Sequence, residues 1–356
     1  MKAAFRVDAS TEIGTGHLTR CLALANHLRQ EGADTRFLCR APSQMLSEQI
    51  RGLGHALDTL PAPRTTSALP PDLPHAHWLG ASQEEDAQQS AELLGRVYNL
   101  LVIDHYGIDY RWQRRMRASV ETIMMIDDLA DRRHDCDLLL DQNVYADDRA
   151  RYSGLISPHC ETLLGPHYAL LRPDFALPLE RPAHADQRLN IFMGGADSTG
   201  ATLMALKAVT PLCNGALQVD VIAGGANPYL PEIRAACAAV PTVTLHVQSR
   251  SMAALFAGAD LGIGAGGSAA LERCSRGLPQ ILVSLAQNQR ETCKAFARAQ
   301  VAVNLGDVDQ LRPRTLQESV VSLLAEPARL ALMSDLGRAM VDGKGTDRVA
   351  ARLMQR

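Results

Sequence analysis

What most restricts the fold of this chain is a unit that opens each of its halves: a short apolar run, a glycine turn, then a helix-period segment. Ala3 to Val7 is apolar enough for a buried strand, and Gly14-Thr15-Gly16 lets the backbone turn tightly. From about His17 to Gln30, Leu18, Cys21, Leu22, Ala25 and Leu28 recur on one helical face, and Glu31-Gly32 stops the helix. The pattern restarts with Leu189 to Met193, the turn Gly194-Gly195-Ala196-Asp197 and a helix over Thr199 to Val209. Continuous apolar strands alternating with helices bury both faces of a sheet, which is the arrangement of parallel α/β architecture.

Further strands are expected at Thr35 to Cys39, Asn99 to Asp104, Glu121 to Ile126 and Asp137 to Leu140 in the first half. In the second half they are expected at Leu217 to Ala223, Val243 to Val247, Leu261 to Ile263 and Gln280 to Val283. Leu60 to Gly80, with prolines at 61, 63, 70, 71 and 74, is read as a loop. At 356 residues the chain exceeds what one hydrophobic core supports. The expected organisation is an N-terminal Rossmann-like domain over 1–180, a second over 187–344 and a C-terminal helix over 345–356. The two doubly wound domains are expected to face each other across a cleft, because open parallel sheets bind ligands beyond the carboxyl ends of their strands.

Hydrophobic residues at 46%, charged residues at 21% and a formal charge of −3 exclude a disordered chain, and they argue against a nucleic-acid binder that relies on bulk phosphate attraction. The eight cysteines form no CxxC pair and no zinc-ligand spacing, so free thiols in a reducing cytosol are expected. The first residues, Met1-Lys2-Ala3-Ala4-Phe5-Arg6, carry charge where a signal peptide needs an apolar run. Met252 to Leu271 is interrupted by Asp260 and glycines, which makes it a poor membrane span. The expectation is a cytoplasmic monomer with neither nucleic-acid nor membrane partner.

Four clusters can carry chemistry. In Gly14-Thr15-Gly16-His17-Leu18-Thr19-Arg20, Thr19 stands where the dinucleotide fingerprint needs a third glycine, so an NAD site loses support. His17 sits at the helix start, whose positive dipole end disfavours imidazolium and suits a proton acceptor. The bland alternative is a histidine that caps the helix or contacts the loop. Asp104-His105-Tyr106-Gly107 and Asp127-Asp128 each follow a strand, where α/β sites are built. No histidine or glutamate stands near Asp127-Asp128 at ligand spacing, and these two are read as solvated turn residues. In Gly264-Ala265-Gly266-Gly267-Ser268-Ala269-Ala270-Leu271-Glu272, Ser268 is the expected N-cap. Residue 271 is leucine, so no capping box forms, and Glu272 is left to complement the helix dipole or grip a ribose diol. Gln287-Asn288-Gln289 offers amides suited to sugar hydroxyls or acetamido groups.

Taken together, these residues resemble the UDP-sugar hydrolases of pseudaminic acid synthesis, GT-B proteins related in fold to the MurG-like glycosyltransferases. The resemblance rests on Phe5, Arg6, Asp8, Gly14, Gly16, His17 and Arg20; on Ile103-Asp104-His105-Tyr106-Gly107; and on Tyr168-Ala169-Leu170 with Arg172. Met193-Gly194-Gly195 with Asp197, then Ser268, Glu272 and Asn288-Gln289, complete it. The Pro-rich stretch 60–80 and the segment after Pro178 have no counterpart in it. It implies a GT-B-like fold and hydrolysis of UDP-2,4-diacetamido-2,4,6-trideoxy-β-L-altropyranose to UDP and free sugar, without metal or cofactor. His17 is then the catalytic base. Arg6, Asp8, Gly14, Gly16, Tyr106, Asn288 and Gln289 bind the substrate, and Gly194, Gly195, Gly267, Ser268 and Glu272 bind UDP.

UDP is a good leaving group, so its departure needs anion stabilisation more than a strong acid. The helix starts after Gly195 and Gly267 can supply it. His17 would take the proton of the attacking water, with Asp8 or Asp104 holding its tautomer. A GT-B glycosyltransferase would keep the UDP half and replace water by an acceptor. A non-catalytic nucleotide-sugar sensor would keep Glu272 without needing His17.

Overall fold

Among the described residues, thirteen strands, all paired in parallel, carry the architecture. The computed structural model describes the chain except residues 11, 63–72, 146, 147, 179–185, 214 and 216. Two units divide it: Met1–Asn143 with Asp147–Leu170 and Gly345–Arg356, and Val144–Ala146 with Leu171–Lys344. About half of the Pro-rich stretch 60–80, and most of the segment after Pro178, therefore lies outside the described residues.

The first unit holds β1 (Lys2–Val7), β2 (Asp34–Arg40), β3 (Ala56–Leu60), β4 (Tyr98–Asp104), β5 (Val120–Ile126), β6 (Leu138–Asp141) and β7 (Glu161–Leu164). Their spatial order is β3-β2-β1-β4-β5-β6-β7. The chain direction of the sheet order reverses between β1 and β4, the position where doubly wound sheets open a crevice for ligands. Side chains of β1 alternate between two cores. Ala3, Phe5 and Val7 pack with Leu18, Leu22 and Leu28 of the helix Gly16–Gln30, and Ala4 packs on the other face with Leu38, Leu101 and Ile103. The C-terminal helix Gly345–Met354 returns to this unit and buries Val349, Ala350 and Leu353 in the same core as Leu18.

The second unit holds β8 (Gln187–Phe192), β9 (Leu217–Ala223), β10 (Val243–Val247), β11 (Leu261–Ala265), β12 (Gln280–Ser284) and β13 (Ala302–Asp307), in the order β10-β9-β8-β11-β12-β13. Its switch point falls between β8 and β11. Leu189, Ile191, Val219, Val221, Ile263 and Ile281 form its core against Ala205, Leu206 and Val209 of the helix Ala201–Val209.

Two local expectations change. The helix expected from Thr199 starts at Ala201, because Asp197 accepts from the backbone N–H groups of Ala201 (3.0 Å) and Thr202 (2.8 Å) and sets the start there. Within the expected loop 60–80, the described residues include the end of β3 and a 3₁₀ turn over Ala76–Leu79, anchored by buried Ala76 and Leu79.

Candidate active site

At the carboxyl edge of the first sheet, β1 ends at Val7 and the chain turns through Ser10–Gly14. The Ser10 carbonyl accepts from Gly14 N–H at 2.8 Å, and Gly14 holds φ +79°, a conformation that favours glycine. Gly16 is the first residue of the helix and His17 the second, so the imidazole lies over the end of the neighbouring β4. His17 and Arg20, three apart, share a helix face, and both meet Asp104, the last residue of β4. His17 Nδ1 lies 2.5 Å from Asp104 Oδ1, while Arg20 Nε and Nη2 donate to Asp104 Oδ2 and Oδ1 at 2.6 and 2.7 Å. Burial alone would raise the Asp104 carboxyl; Arg20, then His17, outweigh it and hold the group well below the usual carboxylate range. An ionised Asp104 accepts from Nδ1–H, which selects the His17 tautomer with its lone pair on Nε2. Among the described residues no protein group hydrogen-bonds that Nε2.

Asp8, the other carboxylate able to hold His17, does different work. Its Oδ1 accepts the Arg40 backbone N–H at 2.6 Å and pairs with Arg6 at 2.7 Å. Its Oδ2 faces His105 Nε2 at 3.2 Å, an electrostatic pairing rather than an aligned hydrogen bond. His105 Nδ1 accepts from Gly107 N–H at 3.0 Å, and burial lowers its basicity. Both nitrogens of His105 are therefore engaged inside the protein. Arg6 has no exposed surface and pairs with Asp86 (2.8 Å) as well as Asp8. Arg6, expected to contact substrate, is thus held in a buried ion-pair cluster, and Asp8, 5% exposed, belongs to the same cluster.

Tyr106 is buried, its ring edge-on to His17 with centroids 4.7 Å apart. Its hydroxyl bonds Asp128, and burial, then Asp128, keep it a neutral phenol. The reading of Asp127-Asp128 as solvated turn residues is overturned. Asp127 is fully buried; it pairs with Arg132 at 2.9 Å and accepts from Ala130 N–H at 2.9 Å. The Asp128 side chain is 13% exposed and lies 3.3 Å from Arg20 Nη1. The turn after β5 folds inward with both carboxylates compensated, Asp127 by Arg132 five residues on and Asp128 by Arg20 from the distant helix Gly16–Gln30. Asp141, at the end of β6, completes the cluster. Burial, then Asp128, push its carboxyl up to about 7, against hydrogen bonds from Asn143 N–H and the Tyr152 hydroxyl.

At the carboxyl edge of the second sheet, Gly194 and Gly195 follow β8, Gly267 and Ser268 follow β11, and Asn288 and Gln289 follow β12. A Cβ on Gly266 would meet Cys293 Sγ at 2.2 Å, so the loop after β11 packs tightly on the helix Gln289–Arg298. The cap expected at Ser268 shifts by one: Gly267 is the N-cap of the helix Ser268–Ser275 and supplies no side-chain hydrogen bond. The two helix starts thus differ. The start after Gly195 is already capped by the Asp197 carboxylate, whereas the start at Gly267–Ser268 lacks a side-chain cap. Of the two helix starts expected to stabilise an anion, the one after Gly195 is occupied by a carboxylate of its own.

Glu272 lies in the second turn of that helix, beyond the first-turn position where an acid complements the dipole. It is partly buried, and among the described residues no hydrogen bond holds its carboxyl. Burial pushes it up to about 7, opposed by Arg172 and Arg273. Arg172, from the Tyr168–Arg172 motif, is thus part of the Glu272 environment. Asn288 is exposed at the start of the helix Gln289–Arg298, and Gln289 Oε1 accepts from Leu285 N–H at 3.0 Å, ordering the loop. Among the described residues no group of three or more His, Cys, Asp or Glu is arranged to hold a metal ion, and no helix is long and apolar enough to cross a membrane.

Sequence reasoning placed Arg20 in the motif without giving it a role, read Asp128 as a solvated turn residue, and did not single out Trp78. Trp78 stacks on Tyr106 with centroids 5.4 Å apart and planes 20° apart. Its available signal was scarcity, since aromatic residues make up 4% of the chain and two of them are tryptophan.

No family model matches the chain. It is 26% identical over 262 residues to the UDP-2,4-diacetamido-2,4,6-trideoxy-beta-L-altropyranose hydrolase of Campylobacter jejuni, covering 72% of this chain and 81% of that protein. It is 24% identical over 361 residues to the spore coat polysaccharide biosynthesis protein SpsG of Bacillus subtilis, covering 99% and 98%. Among solved structures, MurG of Acinetobacter baumannii superimposes with TM-score 0.65 at 14% identity, over all of both chains. The spinosyn rhamnosyltransferase SpnG complexed with thymidine diphosphate does so with TM-score 0.62 at 16% identity, again over both whole chains. With two doubly wound parallel sheets, each in the order of a Rossmann domain, the chain has the GT-B fold.

Proposed function

We propose that this protein hydrolyses UDP-2,4-diacetamido-2,4,6-trideoxy-β-L-altropyranose to UDP and free 2,4-diacetamido-2,4,6-trideoxy-L-altrose, in the making of a pseudaminic-acid-type surface glycan. The observation that carries the reading is the His17–Asp104 pair, which presents an Nε2 with no hydrogen-bond partner among the described residues at the switch point of the first sheet. The named hydrolase among the relatives supplies the substrate class. Water attacks the anomeric carbon, and the bond from that carbon to the UDP oxygen breaks with its electron pair leaving on UDP. The water proton passes to His17 Nε2, and Asp104 stabilises the resulting imidazolium. Asp104 is shared with Arg20, which keeps the carboxylate oriented but offsets part of its charge.

The second unit is assigned the nucleotide. The start of the helix Ser268–Ser275 offers N–H groups and positive potential to the diphosphate, and Glu272 offers its unheld carboxyl to the ribose diol. Gly194 and Gly195 give the backbone close approach, and Asn288 offers its amide to the sugar. Glu272→Ala is expected to weaken UDP binding by about 1.5–3 kcal/mol, the scale of a hydrogen bond to a charged group. Because the ionised carboxyl accepts better, uridine affinity should rise as pH passes up through about 7 in the parent protein and stay flat in the variant. Calorimetry finding the same uridine affinity and pH profile in both would remove Glu272 from the nucleotide site.

The glycosyltransferase reading is kept by the solved neighbours, which are transferases. Incubation with the UDP-sugar alone separates the two. Release of UDP with no acceptor, continuing after exhaustive chelation, is the expected result. Dependence on an acceptor points to a transferase, and binding without turnover to a sensor. Activity lost on chelation and restored by Mg²⁺ would make the reaction metal-dependent.

A further inference from the structure

Both tryptophans of the chain sit in the first unit, in opposite circumstances. Trp112 is fully buried, its indole N–H donating to Asp86 at 2.9 Å. Trp78 is partly exposed, a costly place for a large apolar ring unless something covers it. Contacts on several sides place it. The indole N–H donates to Glu12 Oε1 at 2.9 Å, and His77 Nε2 meets the same oxygen at 2.9 Å, so the turn that leads into His17 is tied to the 3₁₀ turn Ala76–Leu79. His75 packs against Trp78 (4.6 Å between centroids) and against Tyr106 (5.3 Å). A Cβ on Gly107 would come within 2.9 Å of the His75 carbonyl, so the loop after β4 and the 3₁₀ turn are in backbone contact. Rings therefore run without a break from Trp78 through Tyr106 to the His17 imidazole.

We infer that Trp78, backed by Tyr106 and His75, is a stacking subsite for the pyranose ring of the substrate, taking the apolar C–H face and the 6-methyl group of a deoxy sugar. This rests on the reading of His17 as the base acting at the anomeric carbon, since a ring whose C1 lies beside His17 reaches the adjoining aromatic wall. A pyranose ring carries its polar groups around its edge and C–H bonds on its faces, and removal of the 6-hydroxyl enlarges the apolar part. A flat, anchored indole matches that face, and its preorganised geometry limits the ordering cost of binding.

The test measures binding, with turnover removed by His17→Asn in every protein compared. The probes are UDP and UDP-2,4-diacetamido-2,4,6-trideoxy-β-L-altropyranose. Trp78→Ala is expected to weaken the UDP-sugar about tenfold, the scale of an aromatic stacking contact, and to leave UDP unchanged. Trp78→Phe should recover most of the loss. The UDP-sugar, but not UDP, should change the tryptophan fluorescence of the Trp78-containing protein, against the constant background of buried Trp112. An equal loss for both probes overturns the inference, because the indole then stacks on uracil or only supports the fold; an unchanged UDP-sugar affinity overturns it as well. Hydrolysis by the parent enzyme without a Trp78 effect would leave the reaction standing and remove the subsite. A selective Trp78 effect on binding in a protein that never releases UDP would do the reverse.

Discussion

His17→Asn is expected to keep the fold and the affinity for the UDP-sugar while lowering kcat by about 10²-fold or more. Asparagine can still hydrogen-bond water and Asp104, but it cannot take the proton released as water attacks. The residue is only 9% exposed and its Nδ1 already faces Asp104, so an amide of similar reach fills the space without opening the core. The comparison variant is His105→Asn. Its parent imidazole is buried between Gly107 N–H and Asp8, and the expected loss there is stability, with kcat largely retained in the folded fraction. Single-turnover rates and melting curves on both variants decide the matter. Near-normal turnover in His17→Asn, with a dead but folded His105→Asn enzyme, would move the base to residue 105.

Asp86→Ala should cost the first unit about 3–5 kcal/mol, the scale for removing one partner of a buried ion pair. Asp86 has no exposed surface and serves three donors: Arg6, Arg40 (2.7 Å) and the Trp112 indole N–H. Truncation leaves Arg6 buried with Asp8 as its remaining carboxylate and orphans the indole. With total domain stabilities of roughly 5–15 kcal/mol, a loss of this size lowers the melting temperature by roughly 10 °C or more. Burial would raise the Asp86 carboxyl, but Arg6 and Arg40 hold it below its ordinary value. A depressed carboxyl contributes stability that is present above the unfolded-state value and is lost as pH falls through the folded one. The parent protein should therefore lose more stability on acidification below about pH 4 than Asp86→Ala does. Equal melting temperatures for parent and variant at pH 7 would show that the cluster is not under the load its geometry implies.

With the exception of β10, an edge strand that was expected from the sequence, the strands that sequence reading found and those it passed over differ in place. β1, β4, β5, β8, β9, β11 and β12 lie inside their sheets, are covered on both faces and read as apolar runs. The three passed over, β3, β7 and β13, all lie at a sheet edge. Their sequences, Ala56–Leu60, Glu161–Leu164 and Ala302–Asp307, mix polar and apolar residues because an edge strand is only partly covered. The fold class was legible because interior strands dominate the apolar pattern.

The site was legible one residue at a time and not as pairs. The glycine turn, the helix start and His17 follow from local spacing, as do Asp104 at the end of its strand and Glu272 beyond any capping position. Which carboxylate serves His17 is a matter of register between β1 and β4, residues about ninety apart, and there the fold decides for Asp104 and turns Asp8 toward Arg40 and His105. Asp127 and Asp128 look like solvent residues until Arg132 and Arg20 are brought against them. Arg6, a motif residue on an apolar strand, becomes a buried cation because the period-two alternation of β1 points it at Asp86 on a helix eighty residues away. By itself the sequence determined periodicity, turn positions and the chemical types at strand ends, all of which act within a few residues. The tertiary structure alone decided which charges meet and which are left facing outward, because a buried charge is tolerated only where a partner arrives to compensate it, and for Asp104, Asp128 and Arg6 that partner comes from a distant segment.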